Sequence, residues 1–215
     1  MCFWLLLLFF ILQIFINFSR KIVISIFIIL LLIVNNAIAS TGDFFSKGAP
    51  VAPWGLWLST GDLIKQVASF PTSVGGLIVS KTDNKAQEDA LRIKWTRAVG
   101  DQILLNITTP SDMSSQVNSD MELTFSAKSF KTKNASIQIG MCSPDSSCNQ
   151  TLEINIVPND WKEYRISLSC FDKLGIDMTQ ISTALMIKAK KGVDIGISNI
   201  RLTTDIDGKS SCEGN

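Results

Sequence analysis

After about residue 50 the chain alternates apolar and polar side chains with period two in short segments, the pattern of strands with one face on a core and the other in water. The plainest cases are Leu91, Ile93 and Trp95 against Arg92, Lys94 and Thr96, and Met121, Leu123, Phe125 and Ala127 against Glu122, Thr124, Ser126 and Lys128. Further strands are predicted at 102–108, 136–141, 152–157, 164–168, 184–189 and 193–202, most of them separated by turn-forming residues. No segment beyond residue 40 sustains an amphipathic helical period; Ser59 to Val67 and Asp172 to Ile181 are each expected to hold a short turn of helix at most. Many short strands without long helical crossovers predict an all-β sandwich or barrel, and the length left for it suits one domain.

The first forty positions follow a different pattern. Residues 1–39 carry no acidic residue and two basic ones, Arg20 and Lys21, followed by an apolar run from Ile22 to Val34 interrupted only by Ser25, then Ala37-Ile38-Ala39. A basic step, an apolar stretch and small residues at −3 and −1 make a secretory signal peptide, with cleavage expected after Ala39. A second apolar run, Phe3 to Phe18, precedes the basic pair, and three readings stay open: a start codon assigned too far upstream, an unusually long signal, or an uncleaved leader. Only the last would bring the protein to a membrane, and joining both runs in one span would bury Arg20 and Lys21. The expected organisation is a signal at 1–39, a short lead at 40–50, a β-sandwich at 51–205 and a tail at 206–215, in a periplasmic or secreted protein.

Composition narrows the chemistry. The chain of 215 residues holds 20 Lys and Arg against 19 Asp and Glu, and loss of Arg20 and Lys21 takes the formal charge from +1 to −1 (18 against 19). Such balance provides no long-range attraction for polyanions, and no basic stretch is interleaved with aromatics, so nucleic acid is not an expected partner. The chain contains no histidine. A Ser-His or Cys-His nucleophile is thereby excluded, and zinc is disfavoured because no C-x-x-C pair is present either. Glycosidase chemistry needs two carboxyl groups flanking a bond. Glu88, Asp89, Asp101, Glu122, Glu153 and Asp160 are scattered along the sequence, and solvated surface is the expected place for them.

Beyond the leader, Cys142, Cys148, Cys170 and Cys212 form an even set in an exported chain. Four cysteines permit three pairings. Cys142 and Cys148 are six apart across the turn-forming Ser-Pro-Asp-Ser-Ser, which pairs them first and leaves Cys170 for Cys212. Sugar binding needs an aromatic platform for a pyranose face and a few polar groups for the hydroxyls. Trp95 and Tyr164 share the apolar phase of their strands and are expected in the core. Trp54, Trp57 and Trp161 remain as candidate ligand-binding residues; the first two, three apart, point to opposite faces of an extended segment, and Trp161 follows the turn Pro158-Asn159-Asp160.

Read in order, the chain shows Gly48-Ala49-Pro50-Val51-Ala52-Pro53-Trp54, then Glu88-Asp89-Ala90-Leu91-Arg92-Ile93-Lys94-Trp95, then Trp161-Lys162-Glu163-Tyr164-Arg165-Ile166-Ser167-Leu168-Ser169-Cys170-Phe171, and finally Ile197-Ser198-Asn199-Ile200-Arg201-Leu202. From about Gly48 to Leu202 this series resembles the C-terminal galactose-binding-like domain of ExoP-type family 3 bacterial β-glucosidases, the glucan glucohydrolases. The resemblance implies a jelly-roll β-sandwich that contacts carbohydrate or buttresses an enzyme. The catalytic residues of those enzymes lie in other domains, so none is carried onto this sequence. Many such modules read Ser-Asp in the last strand where this chain has Ser198-Asn199, and the missing carboxylate weighs against the structural calcium that galactose-binding-like folds often hold. No metal ligand and no cofactor is expected. These readings converge on a non-catalytic carbohydrate-binding module for a β-glucan or related saccharide; the alternative is an interaction module that docks a separate glycoside hydrolase or envelope protein.

Overall fold

In the computed structural model, residues 42–213 are described, apart from 62, 98–99, 145–147, 206–207 and 209; the signal peptide expected at 1–39 lies outside them. Among the described residues fourteen strands and two short helices follow one another: β1 (Asp43–Ser46), β2 (Ala49–Pro50), β3 (Gly55–Thr60), β4 (Leu63–Gln66), β5 (Thr72–Val74), β6 (Leu77–Thr82), β7 (Ala90–Trp95), β8 (Asp101–Ser111), α1 (Ser114–Asn118), β9 (Met121–Ser129), β10 (Ala135–Cys142), β11 (Leu152–Ile156), β12 (Lys162–Ser167), α2 (Leu168–Lys173), β13 (Ile181–Ala189) and β14 (Asp194–Thr204). One sheet runs β12-β9-β14-β7-β6-β5, with β1 and β2 attached beside β14; the other runs β11-β10-β13-β8-β3-β4. Every ladder between these strands is antiparallel. The architecture is the jelly-roll β-sandwich.

The alternation seen in the sequence becomes the division between inside and outside. Leu91, Ile93, Trp95, Leu123, Phe125, Tyr164, Ile166, Ile195 and Ile197 of the first sheet meet Leu56, Leu58, Ile103, Leu105, Ile137, Ile139, Ile154, Leu185 and Ile187 of the second in one buried cluster. Polar tips within it are paired: the Trp95 indole N–H donates to the Asp101 carbonyl at 3.0 Å, and the Tyr164 hydroxyl accepts from the Val157 N–H at 2.9 Å. In β14 the inward phase shifts from Ile195 and Ile197 to Ile200 and Leu202, and the register slips between Ser198 and Arg201. Asn199 occupies that bulge at φ 51°, a left-handed conformation that Asn tolerates better than most residues.

Several expectations need correction. The lead at 40–50 is itself strand from Asp43, since Phe44 and Phe45 are buried and β1 pairs with β14. Ser59 to Val67 forms no helix; β3 turns at Gly61, at φ 60°, into edge strand β4. The helix expected in 172–181 begins earlier, at Leu168, because Ser167 caps it by accepting the Ser169 N–H and because Leu168, Cys170 and Phe171 bury on one side.

Two carboxylates expected on solvated surface are buried. Asp101 lies under loop residues, and its Oδ2 accepts the Gly76 N–H at 2.7 Å. Glu122 stands on the polar phase of β9 yet is fully buried; its Oε1 accepts from Arg165 Nε at 2.7 Å and from the Thr203 hydroxyl at 2.9 Å, while Oε2 has no hydrogen-bond partner among the described residues. The chain after β14 accounts for this burial: Asp205 N–H donates to the Asp120 carbonyl, Ser211 N–H to the Arg165 carbonyl, and Cys212 is bonded to Cys170 of α2. A polar strand phase marks water only where nothing folds back across it.

Removing Arg165 strands the Glu122 charge inside the protein, which costs about 3 kcal/mol. Arg165→Ala is therefore expected to lower the urea midpoint with an unchanged slope; a midpoint equal to that of the parent would show that the pair contributes nothing.

Candidate functional site

The outward face of the second sheet carries two adjacent rows of side chains set by strand register. The apolar row runs Trp57, Leu104, Met186, Gly140 across β3, β8, β13 and β10. The polar row, two residues further along each strand, runs Ser59, Gln102, Lys188, Gln138, Glu153 and ends on β11. Five strands at about 4.8 Å spacing make the polar row roughly 19 Å long, more than a single pyranose ring needs.

A groove of about 450 Å3 lies along the polar row, with Gln102, Gln138, Ser136, Glu153, Asn149 and Lys188 among its walls. The Gln102 amide donates to the Ser59 hydroxyl at 3.4 Å, and its Oε1 is shielded from solvent without a partner. Lys188 donates to the Cys148 carbonyl at 3.0 Å, and burial lowers its pKa from the ordinary lysine value. Glu153 accepts from the Ser136 hydroxyl. Such a wall offers amide, hydroxyl, ammonium and carboxylate groups in a row, the equipment for sugar hydroxyls.

The apolar row is a small satellite core: Leu104, Met186 and Cys142 are buried, with Trp57 and Cys148 packed against them. The Cys142–Cys148 bond is present, with Cα atoms 5.2 Å apart. The Trp57 indole Nε1 lies 3.0 Å from where a Cβ on Gly55 would stand, and Gln66 Nε2 lies 3.1 Å from it. A glycine at 55 thus lets the ring lean along its own strand, away from the polar row.

The three candidate tryptophans do not converge. Trp57, half-buried, shares the sheet face of the groove without lining it. Trp54 turns inward, edge-on to Phe44 with ring centroids 4.9 Å apart, and packs on the main core. Trp161 lies on the outward face of the first sheet, where a Cβ on Gly196 would come within 2.5 Å of the indole; its Nε1 donates to the Asp83 carbonyl at 3.2 Å, and Lys128 sits 5.1 Å from the ring. Sequence reasoning missed Gln102, Gln138 and Lys188. Their polar-phase positions on three neighbouring strands were visible, but only the strand order β10-β13-β8 makes them one wall.

Two antiparallel sheets with a polar groove on one outward face define a β-sandwich with a recess able to hold a polar ligand. The chain belongs to the Exop_C family, galactose-binding domain-like, whose pattern matches residues 52–202. Among solved structures it is similar to the isolated extra C-terminal domain of the exo-1,3/1,4-β-glucanase ExoP from a Pseudoalteromonas species, at 18% identity and TM-score 0.61 over 80% of this chain and 96% of that domain. Against the whole exo-glucanase the identity is 16% and the TM-score 0.62, and the match spans 22% of that enzyme. The family 30 carbohydrate-binding module of a Clostridium thermocellum cellulosomal cellulase is similar at 18% identity and TM-score 0.51, over 77% of this chain and 98% of that one. A search of curated proteins finds no match.

Trp54 and Trp57 are separable by mutation. Both rings are half-buried, but Trp54→Ala, which removes a ring packed on Phe44 and the main core, is expected to cost about 2 kcal/mol, and Trp57→Ala, against the smaller satellite of Leu104, Met186 and Cys142, less. Equal losses on urea unfolding would show that both rings serve the same core.

Proposed function

We propose that this protein is a non-catalytic, exported saccharide-binding module, and that the groove over β8, β13, β10 and β11 is where the glycan lies. The observation that carries this reading is the row Gln102, Lys188, Gln138, Glu153: four polar side chains from four adjacent strands facing one cleft. Similarity to the ExoP extra domain and to the family 30 module supports the same class of ligand, with a β-glucan or related saccharide as the candidate. Two disulfides fit folding in a periplasmic or extracellular compartment.

The second reading, a module that docks a separate glycoside hydrolase, is favoured by the match to a domain that makes up only part of a longer glucanase.

Titration of the purified protein with soluble β-glucans and their oligosaccharides, followed by calorimetry, tests the first reading. Saturable binding is expected, and Gln102→Ala should weaken it by about tenfold, the worth of one or two buried hydrogen bonds, with unfolding stability retained. No heat across the whole panel would reject the saccharide reading in favour of docking.

A further inference from the structure

The outward face of the first sheet carries a local charge that the chain as a whole lacks. Leu91, Ile93, Ile195 and Ile197 point into the core, so Arg92, Lys94, Asp194 and Gly196 on the same strands point out. Register sets Lys128 of β9 beside Gly196, and Gly196 beside Arg92 of β7. In the next row Asp194 stands beside Lys94, and Lys94 beside Ile78 of β6. Direct partners in antiparallel strands share a face, so these side chains make one surface. Phe130, just past the end of β9, lies among them, with Arg92 4.2 Å and Lys128 4.6 Å from its ring centroid.

A cavity of about 260 Å3 opens beside this surface, with Lys94, Lys131, Lys191, Val193 and Asp194 among its walls. Lys131 comes from the turn after β9 and Lys191 from the crossing between β13 and β14. The crossing is fixed, since the Gly192 N–H donates to the Trp95 carbonyl at 2.7 Å and the Trp95 N–H to the Val193 carbonyl at 2.9 Å. Arg92, Lys94, Lys128, Lys131 and Lys191 thus face a single carboxylate, the buried Asp194, for a local balance of +4 (5 against 1). Arg92 already clamps that carboxylate through both oxygens, at 2.9 and 2.8 Å. Lys131 and Lys191 are exposed and have no carboxylate within ion-pairing distance among the described residues. The patch ends at Trp161, which adjoins Asp160 in the chain and bonds the Asp83 carbonyl; counting both acids still leaves +2 (5 against 3).

We infer that this face docks on an anionic lipid surface. Headgroup phosphates meet Lys94, Lys131 and Lys191 around the cavity, while Ile78 and Phe130 reach the boundary between headgroups and acyl chains. A soluble polyanion would use the cations alone and leave the apolar side chains in water. Ile78, 42% exposed, directly adjoins Lys94, and a half-buried aromatic ring lies between two cations. Long basic side chains interleaved with apolar ones are what a bilayer interface receives, the stems lying along the apolar groups and the charges at the phosphates. The saccharide groove lies on the other sheet, so a glycan and a bilayer can be held at once.

Residues 40–215 contain the whole core from Phe44 to Leu202. This portion, free of the apolar leader, is purified and its partition into sedimented vesicles measured. Phosphatidylcholine vesicles with about 30% phosphatidylglycerol are expected to bind it about tenfold or more tighter than phosphatidylcholine alone at about 0.05 M salt, and the preference should vanish near about 0.5 M. Lys131→Glu and Lys191→Glu should each weaken binding to the anionic vesicles about tenfold, against less than about twofold for Lys173→Glu on α2. Ile78→Ser should weaken it about threefold with the unfolding midpoint kept. Equal binding to neutral and anionic vesicles, or an equal loss from Lys173→Glu, would overturn the proposal. So would binding of dextran sulfate by a protein that ignores the anionic vesicles, since the partner would then be a soluble polyanion. Undiminished vesicle binding by Ile78→Ser would remove the apolar contact, and with it the bilayer assignment.

Discussion

The fold depends on the burial of one face of each sheet against the other. Most inward positions from Phe44 on β1 to Leu202 on β14 contribute to a single apolar layer, and that layer supplies the main free energy of folding. Because the strands alternate, committing the inward phase to the core commits the outward phase to a fixed display. The rows on the outer surface are a by-product of core packing: Gln102 stands beside Lys188 because Ile103 and Ile187 are held beneath them. The strands fix where each of these side chains leaves the backbone, and residues outside them, Asn149 and Lys190 among others, complete the groove.

The two outward faces have been put to different use. On the first sheet, the end near Glu122 is covered by the returning chain and sealed by Cys170–Cys212, and the middle is occupied by Trp161 lying on Gly196, with Phe130 between Arg92 and Lys128. On the second sheet, a satellite of Leu104, Met186, Cys142 and Trp57 fills one end and leaves the polar row open at the other. Glycine contributes on both faces for the same steric reason, since a Cβ at 196 or 140 would collide with the Trp161 ring or the Gln150 carbonyl.

Most of the strands were legible from period-two alternation, and the pairing of the cysteines from spacing. Where the reading failed, the cause lay in contacts between distant segments. β1 escaped notice because Phe44-Phe45 is adjacent rather than alternating, and its burial follows from pairing with a strand more than a hundred residues later. Glu122 obeys the pattern and contradicts its meaning, because the segment that covers it comes from the far end of the chain. The groove was hidden for a related reason: Gln102, Gln138 and Lys188 are unremarkable singly, and only strand order makes them a wall. Aromatic content drew attention to Trp54 and Trp161, which the fold places respectively half-buried against the main core and on the opposite sheet.

The short covalent loop at Cys142–Cys148 has a bearing on the groove beyond stability. It holds the Cys148 carbonyl that receives the Lys188 ammonium, so the aim of a cation on one strand is set by sulfur chemistry on another. In a reduced chain the Cys148 carbonyl would no longer be tied to β10, and this wall of the groove would lose the tether that steers the Lys188 amine.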